Sequence, residues 1–202
     1  VSADKAVTTR PEFVAAVLRF LRRGKAARVM VGDSPASQGG RTAAKAAGIY
    51  EVIEAEGAEW VDFSAGRPRS APEAKLVKSF TLTAAVDDCD LIVNLPKLKT
   101  HRLLNYTGAV KNLFGLIPGR AKSGMHLRFP NKTHFGTMLV DLALSLPPCF
   151  TFMDGIVAME GNGPHNGKPK PLGALLFSTD PVALDTVACR LANLEPSLVP
   201  TN

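Results

Sequence analysis

Apolar residues recur along the chain at two spacings, and these spacings predict helices and strands in alternation. An apolar stripe at helical spacing that ends at Gly24 predicts a first helix, with Thr9 as its N-cap. The mostly apolar run Ala27–Val31 predicts a buried strand. It leads through the glycine-rich residues 32–40 into a helix predicted over residues 41–55.

The same alternation continues to the end of the chain. Strands are predicted at residues 60–63, 80–84, 90–96, 150–157 and 175–178. Helices are predicted at residues 108–117, 134–146 and 181–194, and the polar residues 67–72 are predicted to form a turn. The last helix has Asp180 as its predicted N-cap and Pro181 at its first position. Strands that alternate with helices predict an α/β fold, with a mainly parallel or mixed sheet and helices on both faces.

Length and composition fit one α/β domain over residues 1–202, since 46% of the residues are apolar. The chain stops shortly after its last predicted helix, so we expect a piece of a longer protein. No apolar run approaches the roughly 18–20 residues that cross a bilayer, and no signal peptide opens the chain. We therefore expect no membrane contact and a cytoplasmic location. The three cysteines are far apart, which argues against a disulfide framework, an iron–sulfur cluster or a zinc-thiolate site within this chain.

Positive charge is concentrated in one window of the sequence. Residues 91–140 contain no Asp or Glu, eight of the 24 Lys and Arg, and three of the four His. The window therefore carries a formal charge of +8, and the remaining residues leave −2 of the net +6. A local positive field with histidines in it suits a small anionic ligand such as a phosphate, a nucleotide or a carboxylate. A solvated basic face is the alternative explanation.

Nucleic acid is a less suitable partner for this window. Its aromatic residues are few and do not alternate with the basic residues, as they do in stacking platforms. The window also matches no common nucleic-acid recognition motif. We therefore favour a small anionic ligand over nucleic acid.

Three segments that follow predicted strands carry candidate site residues, because ligands of open α/β sheets bind beyond the carboxyl ends of the strands. In the first, residues 32–40, Gly39 and Gly40 would let backbone N–H groups approach an anion at the start of the next helix. Ser34 would add a donor. The segment lacks the Gly-Lys-Ser/Thr sequence of a P-loop, and a tight strand-to-helix turn explains it equally well.

The second segment, Pro96–Arg102, is predicted to be a loop at the end of the strongest strand. It places Lys97, Lys99 and Arg102 around His101, a density of charge that packing does not explain. Neighbouring cations lower the pKa of a histidine. We therefore expect His101 to be neutral near pH 7, as a base or a metal ligand must be.

Two further basic residues follow His101 within the window. Lys111 lies in a helical run with apolar neighbours, where a partly buried lysine can act as a nucleophile or an anion clamp. A surface lysine whose stem covers apolar side chains is the alternative. His126 comes later, and we expect it to converge with His101 and Lys111 on one pocket at the carboxyl edge of the sheet.

The third segment, residues 154–165, is predicted to be a glycine-rich loop. Asp154, Glu160 and Asn162 would offer oxygen ligands or a general acid there. Its glycines and Pro164 are also typical of an ordinary turn, so both explanations stay open.

Four blocks of the sequence resemble the signature blocks of a family named as domain of unknown function 362. They are, in chain order, DLIVNLPKLKTH (90–101), TGAVKNLFGLIPG (107–119), DGIVAMEGNGP (154–164) and DPVALD (180–185). With TTRPE (8–12) and GDSP (32–35) as early blocks, the resemblance covers nearly the whole chain. The family is often joined to a ferredoxin-like iron–sulfur module, which the resemblance implies as a partner.

The chain also has a more distant resemblance to the nickel-pincer lactate racemases. The matching positions, in order, are Thr9-Arg10-Pro11, His101, Lys111, Pro118-Gly119 and His126. The resemblance implies that Arg10 binds a substrate carboxylate and that His101 moves a proton. It further implies that Lys111 anchors a nickel-pincer nucleotide and that His126 is a ligand of that nickel or of another metal. The sequence departs from the racemases just before Lys111, where they have glycines.

Together these features predict a cytoplasmic α/β protein whose basic His/Lys site binds an anionic ligand. The expected activity is that of a metal- or redox-linked enzyme, and a non-catalytic ligand-sensing or partner-docking module is the alternative from another class. A strongly perturbed Lys or His in a closed pocket would favour the enzyme. An open, shallow basic surface would favour docking.

Overall fold

The computed structural model describes residues 5–35 and 39–202. Its helices are α1 (Pro11–Arg23), α2 (Gly40–Ala46), α3 (Ile49–Ala55), α4 (Ala109–Asn112), α5 (Gly119–Arg128), α6 (Lys132–Leu144) and α7 (Pro181–Leu191). Its strands are β1 (Met30–Val31), β2 (Glu59–Trp60), β3 (Gly66–Ser70), β4 (Ser79–Thr83), β5 (Ile92–Asn94), β6 (Lys97–His101), β7 (Asn105–Thr107), β8 (Cys149–Glu160) and β9 (Lys168–Ser178). Short 3-10 helices lie at Ala84–Val86, Leu113–Leu116 and Pro196–Leu198.

A five-stranded mixed sheet is built around the long strand β8. Strands β5 and β6 both pair with β8 in parallel. Pro96, which lies between β5 and β6 in the sequence, accepts the backbone N–H of Asp154 of β8. Strand β9 pairs antiparallel with β8, and β7 pairs antiparallel with β6. The α/β class is therefore confirmed, with the mixed sheet that the sequence left open. Strands β1 and β2 form a separate parallel pair, and β3 and β4 an antiparallel hairpin.

The predicted cap of the first helix is wrong by one residue. Helix α1 begins at Pro11 with Arg10 as its N-cap, because the Thr9 hydroxyl instead donates a hydrogen bond of 2.6 Å to the carbonyl of Leu95. The helix predicted over 41–55 is two helices. Gly48 separates them in a left-handed conformation with φ +71°, which a residue with a side chain rarely adopts.

Two segments predicted as a turn and a loop are strands: residues 67–72 largely belong to β3, and residues 96–102 largely to β6. The strand predicted at 150–157 is part of β8, which continues to Glu160 and so includes the start of the segment 154–165. In residues 96–102 charge hid the pattern, because Lys97 of β6 is buried against Asp154 of β8. The turn-rich character holds only for the residues between Glu160 and Lys168. Helix α5 had no predicted counterpart.

Helix α4 is the element that positions Lys111, and it lies between two apolar clusters. Val110 belongs to a cluster formed mainly by α6, β4 and the residues after α4. Ala109, the preceding residue, belongs to a second cluster formed mainly by β8, α7 and Tyr106 of β7. Both residues are completely buried. The backbone on either side of Lys111 is therefore fixed by the packing of the protein interior.

Helix α7 begins as predicted, with Asp180 as its N-cap. The Asp180 carboxylate accepts hydrogen bonds from the N–H groups of Val182 (2.9 Å) and Ala183 (3.0 Å). We expect Asp180→Ala to lower the free energy of unfolding by about 0.5–2 kcal/mol, the usual loss for such a cap, in urea titrations. Binding of the small anion expected from the sequence, with sulfate as the probe, should be unchanged. A variant with normal stability that no longer binds sulfate would assign Asp180 to the ligand site instead.

Within the described ranges, no helix combines the length and the apolar character that a membrane crossing requires.

Candidate functional site

A lysine and a histidine from neighbouring elements are in direct contact. Lys111 lies on α4, and His101 ends strand β6. The Nζ atom of Lys111 is 2.5 Å from the Nε2 atom of His101, and both residues are half-buried. The contact brings together the first two residues of the predicted pocket. Two basic groups this close cannot both carry a proton charge, so at least one of them is neutral.

The hydrogen bonds of His101 identify its tautomer. Its Nδ1 atom accepts from the backbone N–H groups of Leu103 (3.1 Å) and Leu104 (3.3 Å), so Nδ1 carries no proton. A neutral imidazole then holds its proton on Nε2, and this N–H points at Lys111. Nζ of Lys111 must accept that hydrogen bond, which only a neutral amine with a free electron pair can do. The geometry therefore calls for an uncharged Lys111.

The electrostatic surroundings favour the same protonation states. Burial, with added repulsion from Lys99 and Lys122, lowers the pKa of Lys111 to about 7. Burial and the charges of Lys111 and Lys99 lower the pKa of His101 to about 3. The sequence led us to expect a lowered pKa at His101, although burial has the larger effect. At neutral pH His101 is thus uncharged and Lys111 is partly deprotonated.

Two further lysines complete what we call the lysine cluster: Lys99, Lys111 and Lys122, with His101 at its edge. Burial lowers the pKa of Lys99 to about 8, and Lys99 donates a hydrogen bond of 2.7 Å to the carbonyl of Val7. Lys122, in the first turn of α5, is buried, and its pKa is also lowered by desolvation. Each of these side chains would gain stability from a nearby negative charge.

Asp33 is the carboxylate whose charge acts on Lys99 and Lys122. Desolvation of its carboxyl group raises its pKa, and the two lysines lower it. Asp33 as a whole residue remains exposed to solvent. It makes no direct ion pair with either lysine, and its Oδ1 atom instead accepts the N–H of Ser34 at 2.7 Å. Among the described residues, one carboxylate thus acts on the cluster, and it does not balance three lysines.

Two more histidines lie within the electrostatic reach of Lys111. His126 is exposed and stacks on Phe135, with ring centroids 4.6 Å apart, rather than contacting His101 or Lys111. Burial and the charges of Lys111 and Lys122 lower its pKa. His165, from the turn between β8 and β9, has its pKa lowered by burial and by Lys99 and Lys111. The structure thus brings both histidines near the lysine cluster.

Helix α4 is held at its N-terminal residues by buried side chains. Asp185 of α7 accepts hydrogen bonds from the N–H groups of Ala109 (2.6 Å) and Val110 (3.0 Å) and from the hydroxyl of Tyr106 (3.0 Å). Gly108 precedes the helix because a Cβ there would overlap the Asp185 carboxylate and the Tyr106 hydroxyl. Asn94 of β5 donates to the carbonyl of Ala109 at 3.0 Å. Asp185 and Asn94 are therefore positioning residues for Lys111.

Asp154 binds the side chain of Lys97 and the backbone of Arg10, two predicted ligand-binding residues. The Lys97 ammonium lies 2.8 Å from Oδ2 of Asp154, and both side chains are buried. The same oxygen accepts the backbone N–H of Arg10 at 3.0 Å, and the Arg10 guanidinium pairs with Glu12 at 3.5 Å. Asp154 already neutralises Lys97 within the sheet, so Lys97 contributes little free positive charge to the cluster.

Arg102 lies in the wall of a cleft of about 390 Å³ that opens beside His101. The wall is formed by Thr100, His101, Arg102, Asn105, Gly161, Asn162, Leu194, Glu195, Leu198 and Val199. The three lysines of the cluster are not part of this wall. His101 is therefore the residue at which the cleft and the lysine cluster meet.

The predicted anion loop at residues 32–40 lies partly outside the described residues, since 36–38 are not described. Gly39 is the N-cap of α2, and a Cβ at Gly40 would overlap the carbonyl of Asp33. Ser34 is buried and lies close to Gly119, the first residue of α5. The structure thus places Ser34 at the start of the helix that carries Lys122.

Comparison with known proteins identifies the family of this chain. The family model described as "Domain of unknown function (DUF362)" matches residues 1–190. The chain belongs to the DUF362 family. A thylakoid-associated protein of Synechocystis sp. is 38% identical over 194 residues, which is 96% of this DUF362 chain and 60% of that protein. The chain thus spans about 60% of the length of this curated relative. No solved structure matches it.

The sequence blocks that resemble the family supply two of the three lysines of the cluster and both positioning residues, Asn94 and Asp185, whereas Lys122 lies just outside them. Lys99 and His101 come from the first block, Lys111 from the second and Asp185 from the last. No group of three or more His, Cys, Asp or Glu side chains that could hold a metal occurs among the described residues. His126 as a metal ligand and a nickel nucleotide on Lys111 therefore stay predictions from the resemblance to the racemases.

The sequence of the DUF362 chain did not identify several residues of the site. Lys122 lies in a helix that the apolar pattern did not reveal. Asp33 and His165 come from loops that only the fold brings to the lysine cluster, and the sequence assigned Asp185 no role at the site. The aspartates of the 180–185 block could have signalled a helix start and a second, buried acceptor.

Proposed function

We propose that this chain binds a small anionic ligand at the lysine cluster and acts on it as an enzyme through the His101–Lys111 pair. The ligand carries a phosphate or a carboxylate group. The observation that carries the proposal is the 2.5 Å contact between Lys111 and His101 among Lys99 and Lys122. Such groups are costly to bury together, and a bound anion offsets that cost.

The start of helix α5 supports an anionic ligand. Pro118 is its N-cap, and no side-chain hydrogen bond caps this end among the described residues. Helix N-termini attract anions because their first N–H groups are unpaired. Lys122 lies in the first turn, and Ser34 lies beside Gly119. Charge and backbone donors thus favour the same kind of ligand.

The protonation state of Lys111 favours an enzyme over a docking module. A docking surface needs charged, solvated lysines, whereas Lys111 is half-buried, contacts His101 and has its pKa lowered to about 7 by burial and neighbouring lysines. A neutral amine next to an N–H donor can attack a carbonyl group or accept a proton. Strongly perturbed groups of this kind are typical of catalytic sites. A cytoplasmic location and a ferredoxin-like partner stay predictions.

Titration with sulfate over a range of pH tests the proposal. Sulfate remains a dianion near neutral pH, so any change in its affinity reports on the protein. A bound anion favours the charged form of Lys111 (pKa about 7) and of Lys99 (pKa about 8), so binding takes up protons. Affinity should therefore rise as the pH falls through this range, by at most about tenfold per pH unit for each proton taken up.

Calorimetry in buffers of different ionisation enthalpy measures that proton uptake directly. The charged or titratable groups around Lys111 are His101, Lys99, Lys122, His126, His165 and, near the other lysines, Asp33. Added sodium chloride should weaken binding by screening. No heat of binding, or an affinity indifferent to pH and to salt, would contradict the proposal. Small hydroxy acids and nucleotides titrated in the same way then identify the ligand class.

A further inference from the structure

We propose that Lys111 is a site of reversible carbamylation by dissolved carbon dioxide. The geometry provides what this reaction needs: an amine held in its neutral form by the Nε2–H of His101, next to the cations Lys99 and Lys122. Lys111 is half-buried, so a molecule as small as carbon dioxide reaches it from solvent. This modification goes beyond the binding of an external anion.

The reaction needs no other reagent. The electron pair of Nζ attacks the carbon atom of carbon dioxide, and one C=O π pair moves onto oxygen. The new N–C bond is completed by loss of one proton from nitrogen to solvent. The product is a carbamate that carries one negative charge, and the reverse reaction releases carbon dioxide. His101 takes no part in the bond changes, because its Nδ1 atom is occupied by two backbone N–H groups.

The charge of the pocket favours a carbamate over other lysine adducts. An imine formed with an aldehyde or ketone becomes cationic when it is protonated, and Lys99 and Lys122 would repel it. A carbamate instead introduces a negative charge where, within residues 5–35 and 39–202, Asp33 is the carboxylate that acts on Lys99 and Lys122. Its oxygens would accept the Nε2–H of His101 and attract the neighbouring ammonium groups. Free lysines at the surface lack this compensation.

Two measurements on the full 202-residue chain test carbamylation. The first is ¹³C NMR of the protein in ¹³C-bicarbonate, in which we expect a protein-bound carbamate resonance separate from bicarbonate and dissolved carbon dioxide. The second is trapping with triethyloxonium, which converts a carbamate into a stable ethyl ester. Peptide mapping by mass spectrometry should then locate the added mass on the peptide that contains Lys111.

Matched variants assign the signal. Lys111→Arg should remove the carbamate resonance, whereas Lys75→Arg, at an exposed lysine between β3 and β4, should retain it. Trapping of the unmodified chain locates the adduct even if Lys111→Arg does not fold. Absence of a trapped adduct at Lys111, or a resonance that persists in folded Lys111→Arg, would overturn the proposal.

The outcome is separable from that of the sulfate titration. Sulfate should compete with the carbamate, so saturating sulfate should reduce the resonance. A carbamate at Lys111 without sulfate binding would refute the anion-ligand proposal alone. Sulfate binding without any carbamate would refute carbamylation alone.

Discussion

Replacing Lys111 by methionine is expected to weaken sulfate binding at pH 7 by about 10- to 100-fold and to leave the melting temperature unchanged or higher. The lost affinity corresponds to one hydrogen bond between charged groups, about 1.5–3 kcal/mol. Stability should not fall, because the methionine stem retains the apolar contacts. The substitution also removes an amine whose protonation near Lys99 and Lys122 is unfavourable in the folded protein.

The sign of the stability effect follows from the lowered pKa of Lys111. A lysine with a pKa of about 7 in the folded protein and an ordinary value in the unfolded chain destabilises the fold below its unfolded pKa. That penalty is present at pH 7 and disappears in Lys111→Met. Thermal unfolding at pH 7 and pH 10 should show a smaller gain at the higher pH.

Lys75→Met is the matched control for charge. It removes one cation from an exposed position and should change neither the sulfate affinity nor the melting temperature beyond experimental scatter. If Lys111→Met binds sulfate as tightly as Lys75→Met does, Lys111 is an ordinary lysine and the cluster does not bind anions. A Lys111→Met protein that unfolds at a markedly lower temperature would show a structural role for the amine.

Replacing Asp185 by alanine is expected to lower the free energy of unfolding by about 3–5 kcal/mol. The change leaves two buried backbone N–H groups, those of Ala109 and Val110, without an acceptor, and it leaves the hydroxyl of Tyr106 with the weaker sulfur acceptor of Met153. Each such buried group costs about 1–3 kcal/mol, and the deleted carboxyl group also leaves a cavity. Urea titration at pH 7 measures the loss.

Asp185→Asn is the informative companion of the alanine variant. Burial raises the pKa of Asp185 to about 7, so the folded protein retains its proton at a pH at which the unfolded chain has lost it. The free energy of unfolding therefore falls as the pH rises from about 4 to about 7, because the unfolded chain loses this proton and the folded protein does not. Asparagine does not titrate and so lacks this pH dependence. We expect Asn to lose less stability than Ala. Equal stability of the wild type and the alanine variant would show that Asp185 does not hold α4.

The elements that the sequence predicted best are those whose pattern follows from local chemistry. Asp180 and Pro181 start α7 as their side chains require, and the apolar residues of β4 and α6 alternate in the expected periods. Strand β6 was missed because Lys97 points into the interior, which a sequence pattern counts as a solvent position. The carboxylate of Asp154, 57 residues away in the sequence, offsets the free energy needed to bury the Lys97 ammonium group.

The part of the candidate site that the sequence predicted is the part that lies within the acid-free window of residues 91–140. His101 and Lys111 were identified because basic residues collected without any acid behind a strong strand. Their tautomer and protonation state depend on the N–H groups of Leu103 and Leu104, whose direction follows from the turn between β6 and β7. No sequence pattern specifies that direction. The same holds for the approach of α7, which supplies Asp185.

Because α4 is fixed between two apolar clusters and tied to Asp185 and Asn94, the backbone that carries the Lys111 amine reaches its position during folding. The conformational entropy of that backbone is lost once, when the core forms, and is not lost again at each encounter with a ligand. Slow hydrogen exchange at the Ala109 and Val110 amides would be the signature of this preorganisation. Variation in ligand preference among relatives would then arise in the loops around the cleft, which can change without opening the core.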